Sequence, residues 1–143
     1  MSDSALRFAR AAEALVGCPF RLYGRDPANG LDCIGVVLVA LRAAGVETAE
    51  RSYRLRNTDI GEWLAVGRDI GLVGADTPSL SGDILMVAPG PAQHHLLVVG
   101  ESGDLIHAHA SLRRVVRMPS PSPWPAMHHW RLRPSRKHET ERP

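Results

Sequence analysis

Apolar positions recur at helical spacing twice near the start of the chain and then give way to short runs separated by turn residues. Leu6, Ala9, Ala12 and Val16 form the first stripe, with Ser2, Asp3 and Ser4 before it as candidate caps and Gly17 and Pro19 ending it. Residues 18–32, CPFRLYGRDPANGLD, show no period and are rich in Gly, Pro, Asn and Asp, the composition of a loop with special turn conformations. A second helix follows. Asp32 is its N-cap and Cys33 its first residue; Ile34, Val37, Leu38 and Leu41 line one face, and Gly45 closes it in a left-handed conformation. Residues 47–81 are poorly periodic, apart from a short capped helix expected around Trp63 in TDIGEWLAVG. Strands are then expected at DILMVA from Asp83, HLLVVG from His95, DLIHAHA from Asp104, RRVVRM from Arg113 and MHHWRLR from Met127. Helices first and strands afterwards, without alternation, predict an α+β fold in which the cysteine helix packs on an antiparallel β-sheet.

The chain has 143 residues, enough for one domain, expected over residues 1–133. PSPSPWP, residues 119–125, is a stiff connector before the last strand, and the polar tail PSRKHETERP, residues 134–143, is expected to be disordered. A formal net charge of +2, with no basic run interleaved with aromatics, argues against nucleic acid as a partner. No apolar run approaches the ~20 residues of a membrane helix, which argues against membrane insertion. The first residues lack the apolar core of a secretory signal, so synthesis in the cytoplasm without a signal peptide is expected. Cys18 and Cys33 are expected as free thiols.

Cys33 carries the candidate chemistry. A thiol in the first turn of a helix faces unpaired backbone N–H groups and the positive end of the helix dipole, which predicts a lowered pKa and a ready oxyanion site. A small buried hydrophobe is the competing role. A nucleophile needs a base, and a third group to orient that base. If Glu101, Ser102 and Gly103 make a three-residue hairpin loop, Gly100 faces Asp104 and the strand partners sum to 204. His95 then lies opposite His109 and diagonal to His107, all three on one face, while His94 points to the other. Within this geometry His107 and His109 are equally eligible as the third group. A zinc site built from the same histidines is physically allowed, but no metal-ligand spacing motif supports it, and no metal or cofactor is expected.

In order and motif, these segments resemble the NlpC/P60 family of cysteine peptidases, papain-like enzymes that cleave peptidoglycan stem peptides. GLDCIG, residues 30–35, is similar to the family's G-F-D-C-S-G; SGDILMV, residues 81–87, to its G-D-L-V-F-F strand; and HLLVVGESGDLIHA, residues 95–108, to H-V-G-I-Y followed by I-H-A. The resemblance runs from about Gly17 to Leu132 and implies Cys33 as nucleophile, His95 as general base and acid, and His107 as the orienting group. Asp32, Phe20, Tyr23, Arg25 and His109 are implied as supporting or substrate-contacting residues. Phe20 stands where the family commonly has a tyrosine whose hydroxyl assists at the oxyanion site, and Tyr23 is available to replace it. Ile34 replaces the usual serine, and Leu97 stands where glycine is frequent. Arg21 or Arg25 is a candidate partner for a stem-peptide carboxylate.

FRLYGRDPANGLDCIG and PSPSPWPAMHHWRLR look particularly like the stand-alone peptidases of this family found in phage tail clusters and gene transfer agents. That likeness implies cleavage at γ-D-glutamyl-diamino acid bonds of peptidoglycan stem peptides, tail-tip or baseplate proteins as partners, and action in the periplasm or cell wall after delivery by the particle. Two alternatives stand beside it. One is a catalytically weak structural tail-tip protein; the other is an amidase or acyltransferase using the same Cys–His pair.

Overall fold

The computed structural model describes residues 3–56, 60–91 and 93–133. The expected tail, residues 134–143, lies outside the described residues, as do Ser2 and the first two residues, Thr58 and Asp59, of the segment expected to form the Trp63 helix. The chain forms helix α1 (Asp3–Ala14), the strands β1 (Arg25–Asp26) and β2 (Gly30–Leu31), helix α2 (Cys33–Ala43), a 3-10 helix (Glu50–Arg54), and helix α3 (Ile60–Ile70). Six strands follow: β3 (Leu72–Gly74), β4 (Ile84–Val87), β5 (His95–Val99), β6 (Leu105–His109), β7 (Arg114–Met118) and β8 (Ala126–Leu132). They make one antiparallel sheet in the order β3-β8-β4-β5-β6-β7. The α+β expectation holds. The exceptions are three strands too short to show alternation: β3, and the β1–β2 pair within the predicted loop.

Helix α2 is the centre of the core. Cys33, Ile34, Gly35, Val36, Val37, Leu38, Ala40 and Leu41 are all buried, so the helix is covered on nearly every side rather than on the one face the spacing predicts. It lies between α1 and the sheet, where Met86, Leu96, Val98, Ile106 and Ala108 meet it within one cluster. Its end has the geometry expected of a glycine closure. Gly45 adopts φ +83°, its N–H bonds to the Arg42 carbonyl, and the Val46 N–H bonds to the Leu41 carbonyl. Helix α1 buries Ala5, Phe8, Ala9 and Ala12, so its apolar stripe is turned from the predicted one. Leu6 is half-buried, while Val16 lies beyond the helix end and is exposed.

The β5–β6 hairpin has the predicted register. Val98 pairs with Ile106 and Val99 with Leu105, Gly103 takes φ +91°, and the Gly100 N–H bonds to the Asp104 carbonyl at 2.7 Å. Its turn is tied to α1, where Arg10 holds Glu101 through two hydrogen bonds of 2.9 and 3.1 Å and Glu13 accepts from the Glu101 N–H.

At the start of β4, the buried Asp83 carboxylate accepts from Arg131 Nε and Nη2, each at 2.9 Å, and from the Leu80 N–H, and it lies 2.6 Å from His129 Nε2. Burial raises the Asp83 pKa, but the hydrogen bonds from Arg131, Leu80 and His129, with the Arg131 charge, outweigh it and hold the group below its ordinary value. Stability from this ion cluster is therefore present above the ordinary carboxylate pKa and is lost as pH falls through the depressed one. We expect Asp83→Asn to lose about 3–5 kcal/mol in urea unfolding at neutral pH, the cost of breaking a buried pair. The difference from wild type should shrink in acid, below the depressed Asp83 pKa, where the carboxylate is protonated in both states; an unchanged midpoint at neutral pH would show that the cluster adds nothing.

Candidate functional site

Asp32 builds the start of α2. Its Oδ1 accepts from the Gly35 N–H at 2.8 Å and from Arg25 Nη1 at 2.6 Å, while its Oδ2 accepts from the Tyr23 N–H at 2.9 Å. Arg25 also donates to the carbonyls of Gly24, Tyr53 and Leu55, at 2.9, 3.1 and 2.5 Å. The structure thus commits the Arg25 guanidinium to joining the loop before α2, the helix start and the 3-10 segment. The other candidate for a substrate carboxylate, Arg21, is exposed and lies outside the groove lining. The loop rests directly on the helix: a Cβ at Gly35 would come within 2.2 Å of the Gly24 carbonyl oxygen, so only glycine permits the approach.

A groove of about 400 Å³ opens at this helix start, lined by Phe20, Cys33, His95, His107, His109 and Trp124 among others. Within it His95 Nε2 lies 2.9 Å from His107 Nδ1, with the rings nearly perpendicular and their centroids 5.0 Å apart. His109, opposite His95 in the extrapolated register, is instead engaged by the next turn, where its Nδ1 accepts from the Leu112 N–H at 3.1 Å. Between the two histidines that the strand geometry left open, the diagonal one makes the contact. Among the described residues, no group of three or more His, Cys, Asp or Glu side chains is placed to hold a metal ion.

Two of the sequence expectations are corrected here. The Cys33 thiol is not activated at rest: burial, at 3 % exposure, and the neighbouring Asp32 carboxylate push its pKa up to about 12. Hydrogen bonds with the Leu96 and Ile34 backbone and the charge of Arg25 pull the other way, yet burial outweighs them. Tyr23 does not supply the hydroxyl that Phe20 lacks. Its backbone is left-handed at φ +62°, its ring lies under the Arg56 guanidinium at 5.0 Å, and it does not line the groove.

The imidazoles shift in the opposite direction. Burial, and then the neighbouring His107 and His109, lower His95 to about 4; burial and His109 lower His107 to about 4, against a hydrogen bond with the Ala108 backbone. At neutral pH the resting site therefore holds an un-ionised thiol and two un-ionised imidazoles. Trp124, in the segment expected to be only a connector, helps to dry the pair. Its ring stands edge-on to His95 at 6.5 Å and to His107 at 6.3 Å. A lone tryptophan within a Pro/Ser run was the available signal for it.

In a Cys18→Ser variant, iodoacetamide at pH 7 is expected to alkylate Cys33 at least about a hundredfold more slowly than glutathione, because so little thiolate is present. Faster alkylation than glutathione would mean that the helix start, not burial, controls the thiol.

No protein-family model matches the sequence, and no curated protein matches it. Solved structures do. NlpC2 from Trichomonas vaginalis superposes with a TM-score of 0.66 at 21% identity, covering 91% of this chain and 48% of that one. The peptidoglycan hydrolase RipB from Mycobacterium tuberculosis gives 0.62 at 20% identity, covering 90% of this chain and 64% of its own. The P60 domain of an antigen from M. avium subspecies paratuberculosis gives 0.60 at 18% identity, covering 90% and 93%. The chain spans about half the length of the first of these. At these identities the likeness is one of architecture, and the chain has the fold of the NlpC/P60 structures.

Proposed function

We propose that this protein is a cysteine peptidase that hydrolyses peptidoglycan stem peptides, with Cys33 as nucleophile, His95 as general base and acid, and His107 as the group that orients His95. The observation that carries it is the 2.9 Å contact of His95 Nε2 with His107 Nδ1 in the same groove as a thiol at a helix start. If His95 Nε2–H donates to His107, the unprotonated Nδ1 of His95 is left to act as the base. Cys33 Sγ then bonds to the scissile carbonyl carbon as its proton passes to His95. Collapse of the tetrahedral adduct breaks the C–N bond and returns that proton to the leaving amine. Water activated by His95 then releases the acyl group and restores the thiol. RipB, a peptidoglycan hydrolase of similar architecture, supports the choice of substrate.

The bond we favour is that between γ-D-glutamate and the diamino acid of the stem peptide, and the route we favour is delivery by a phage-tail-like particle in contact with tail-tip or baseplate proteins. Both rest on the sequence likeness alone. A second reading, a tail protein with weak catalysis, draws on the buried thiol and on Phe20, which offers no hydroxyl to an oxyanion.

Digestion of purified peptidoglycan, followed by mass analysis of the products, decides between them. New stem-peptide fragments are expected from the wild type. Cys33→Ala and His95→Ala should lose at least about 10³-fold in rate, as for a nucleophile and its base. His107→Ala should lose less, and an unchanged product pattern in Cys33→Ala would remove Cys33 from the reaction.

The pH profile follows from the un-ionised pair. Because the base must be neutral, kcat/KM should stay level through neutral pH and fall only near pH 4, where His95 takes up a proton. An acid limb near the ordinary imidazole value of 6.5 would show that His95 is not desolvated as the structure has it.

A further inference from the structure

Beside Cys33 lies a second, much smaller cavity of about 10 Å³, room for about one water-sized atom. It is lined by Cys33, Ile34, Arg56, Trp63, Met86, His94 and Leu96, and Cys33 and His94 line the main groove as well. Two of the lining residues carry unpaired polar atoms. Trp63 is 2 % exposed, and its Nε1 is buried with no hydrogen-bond partner; His94 Nδ1 is likewise buried and unpartnered. Leaving such groups unpaired is costly, and the indole N–H can be satisfied only by an acceptor.

We propose that this cavity receives one oxygen atom of the substrate, held by Trp63 Nε1–H and by His94 in the tautomer that carries its proton on Nδ1. The site rests on the reading of Cys33 as nucleophile. When sulfur bonds to the scissile carbon, the carbonyl π pair moves onto oxygen, and that oxygen must lie within reach of the sulfur. A space for one atom beside Cys33, with two unspent nitrogens on residues that line it, has the right size for that oxygen. An oxygen of a neighbouring carbonyl or carboxylate of the substrate has the same chemistry, and kinetics separate the two sources.

The test uses Trp63→Phe, His94→Phe and His94→Gln, the last of which keeps a donor, with thermal melting as the check on folding. The probe is N-acetyl-alaninal, whose carbonyl carbon adds to the thiol while the thiol proton ends on the aldehyde oxygen. The Trp63 indole N–H resonance should shift when the aldehyde binds. Trp63→Phe and His94→Phe should each lower kcat on stem peptides by about 10–100-fold, at the modest end of what one oxyanion donor supplies. Aldehyde affinity should fall alongside, and His94→Gln should retain most of both. A rise in KM at unchanged kcat would assign the oxygen to a non-reacting group of the substrate. An unshifted indole resonance, with kcat, KM and aldehyde affinity unchanged in both Phe variants, would overturn the site. If the wild type binds aldehyde with the expected shift but cuts no stem peptide, the hydrolase reading fails and the oxygen site stands. If Cys33→Ala abolishes cutting while the Phe variants cut normally, the oxygen site alone fails.

Discussion

The carboxylate of Asp32 is the constraint on which the rest of the site depends. One side chain caps α2 through Gly35, accepts the Tyr23 amide and pairs with Arg25, whose remaining donors reach Gly24, Tyr53 and Leu55. Three stretches that are distant in the chain are thereby held around one helix end. Because the pair is nearly buried, with side chains 12% and 6% exposed, removing either partner would strand a charge in a low-dielectric surrounding. The same carboxylate opposes ionisation of the thiol beside it. The device that positions Cys33 is therefore also one that keeps it protonated.

That opposition gives the site its electrostatic character. A helix start favours negative charge by roughly 0.3–1 kcal/mol at ordinary exposure, whereas burying an ion without a partner costs several kcal/mol. With Cys33 as deep as it is, the second effect wins. The imidazoles obey the same rule with the opposite sign, since burial favours their uncharged form. In the proposed reaction, charge separation is then deferred to the moment of attack, when the adduct supplies a negative oxygen for the protein to stabilise.

Much of this arrangement was legible in the sequence, because it rests on local rules. Asp32 before an apolar run, Gly45 after it, and Gly103 in a three-residue turn each specify backbone geometry within a few residues. The hairpin register follows from the turn and carries His95 and His107 to one face. What escaped depends on contacts between distant segments. Helix α2 is covered by α1 as well as by the sheet, so its far side is apolar too. Strand β3, with three residues, has no period to detect. Arg25, Trp124 and Trp63 gain their roles from partners 7 to 30 residues away or more, a relation that periodicity does not encode.

The register of the β5–β6 hairpin also decides how the site can be misaligned. His95 and His107 stand on paired strands whose turn is latched to α1 by Glu101, while Cys33 stands on a helix start bound to the preceding loop. Each half is braced by its own hydrogen bonds, so the distance between the thiol and the imidazole pair is set by how the two seat against one another. Substitutions in the core between α2 and β5 are thus a means of tuning the proposed reaction by mechanical offset.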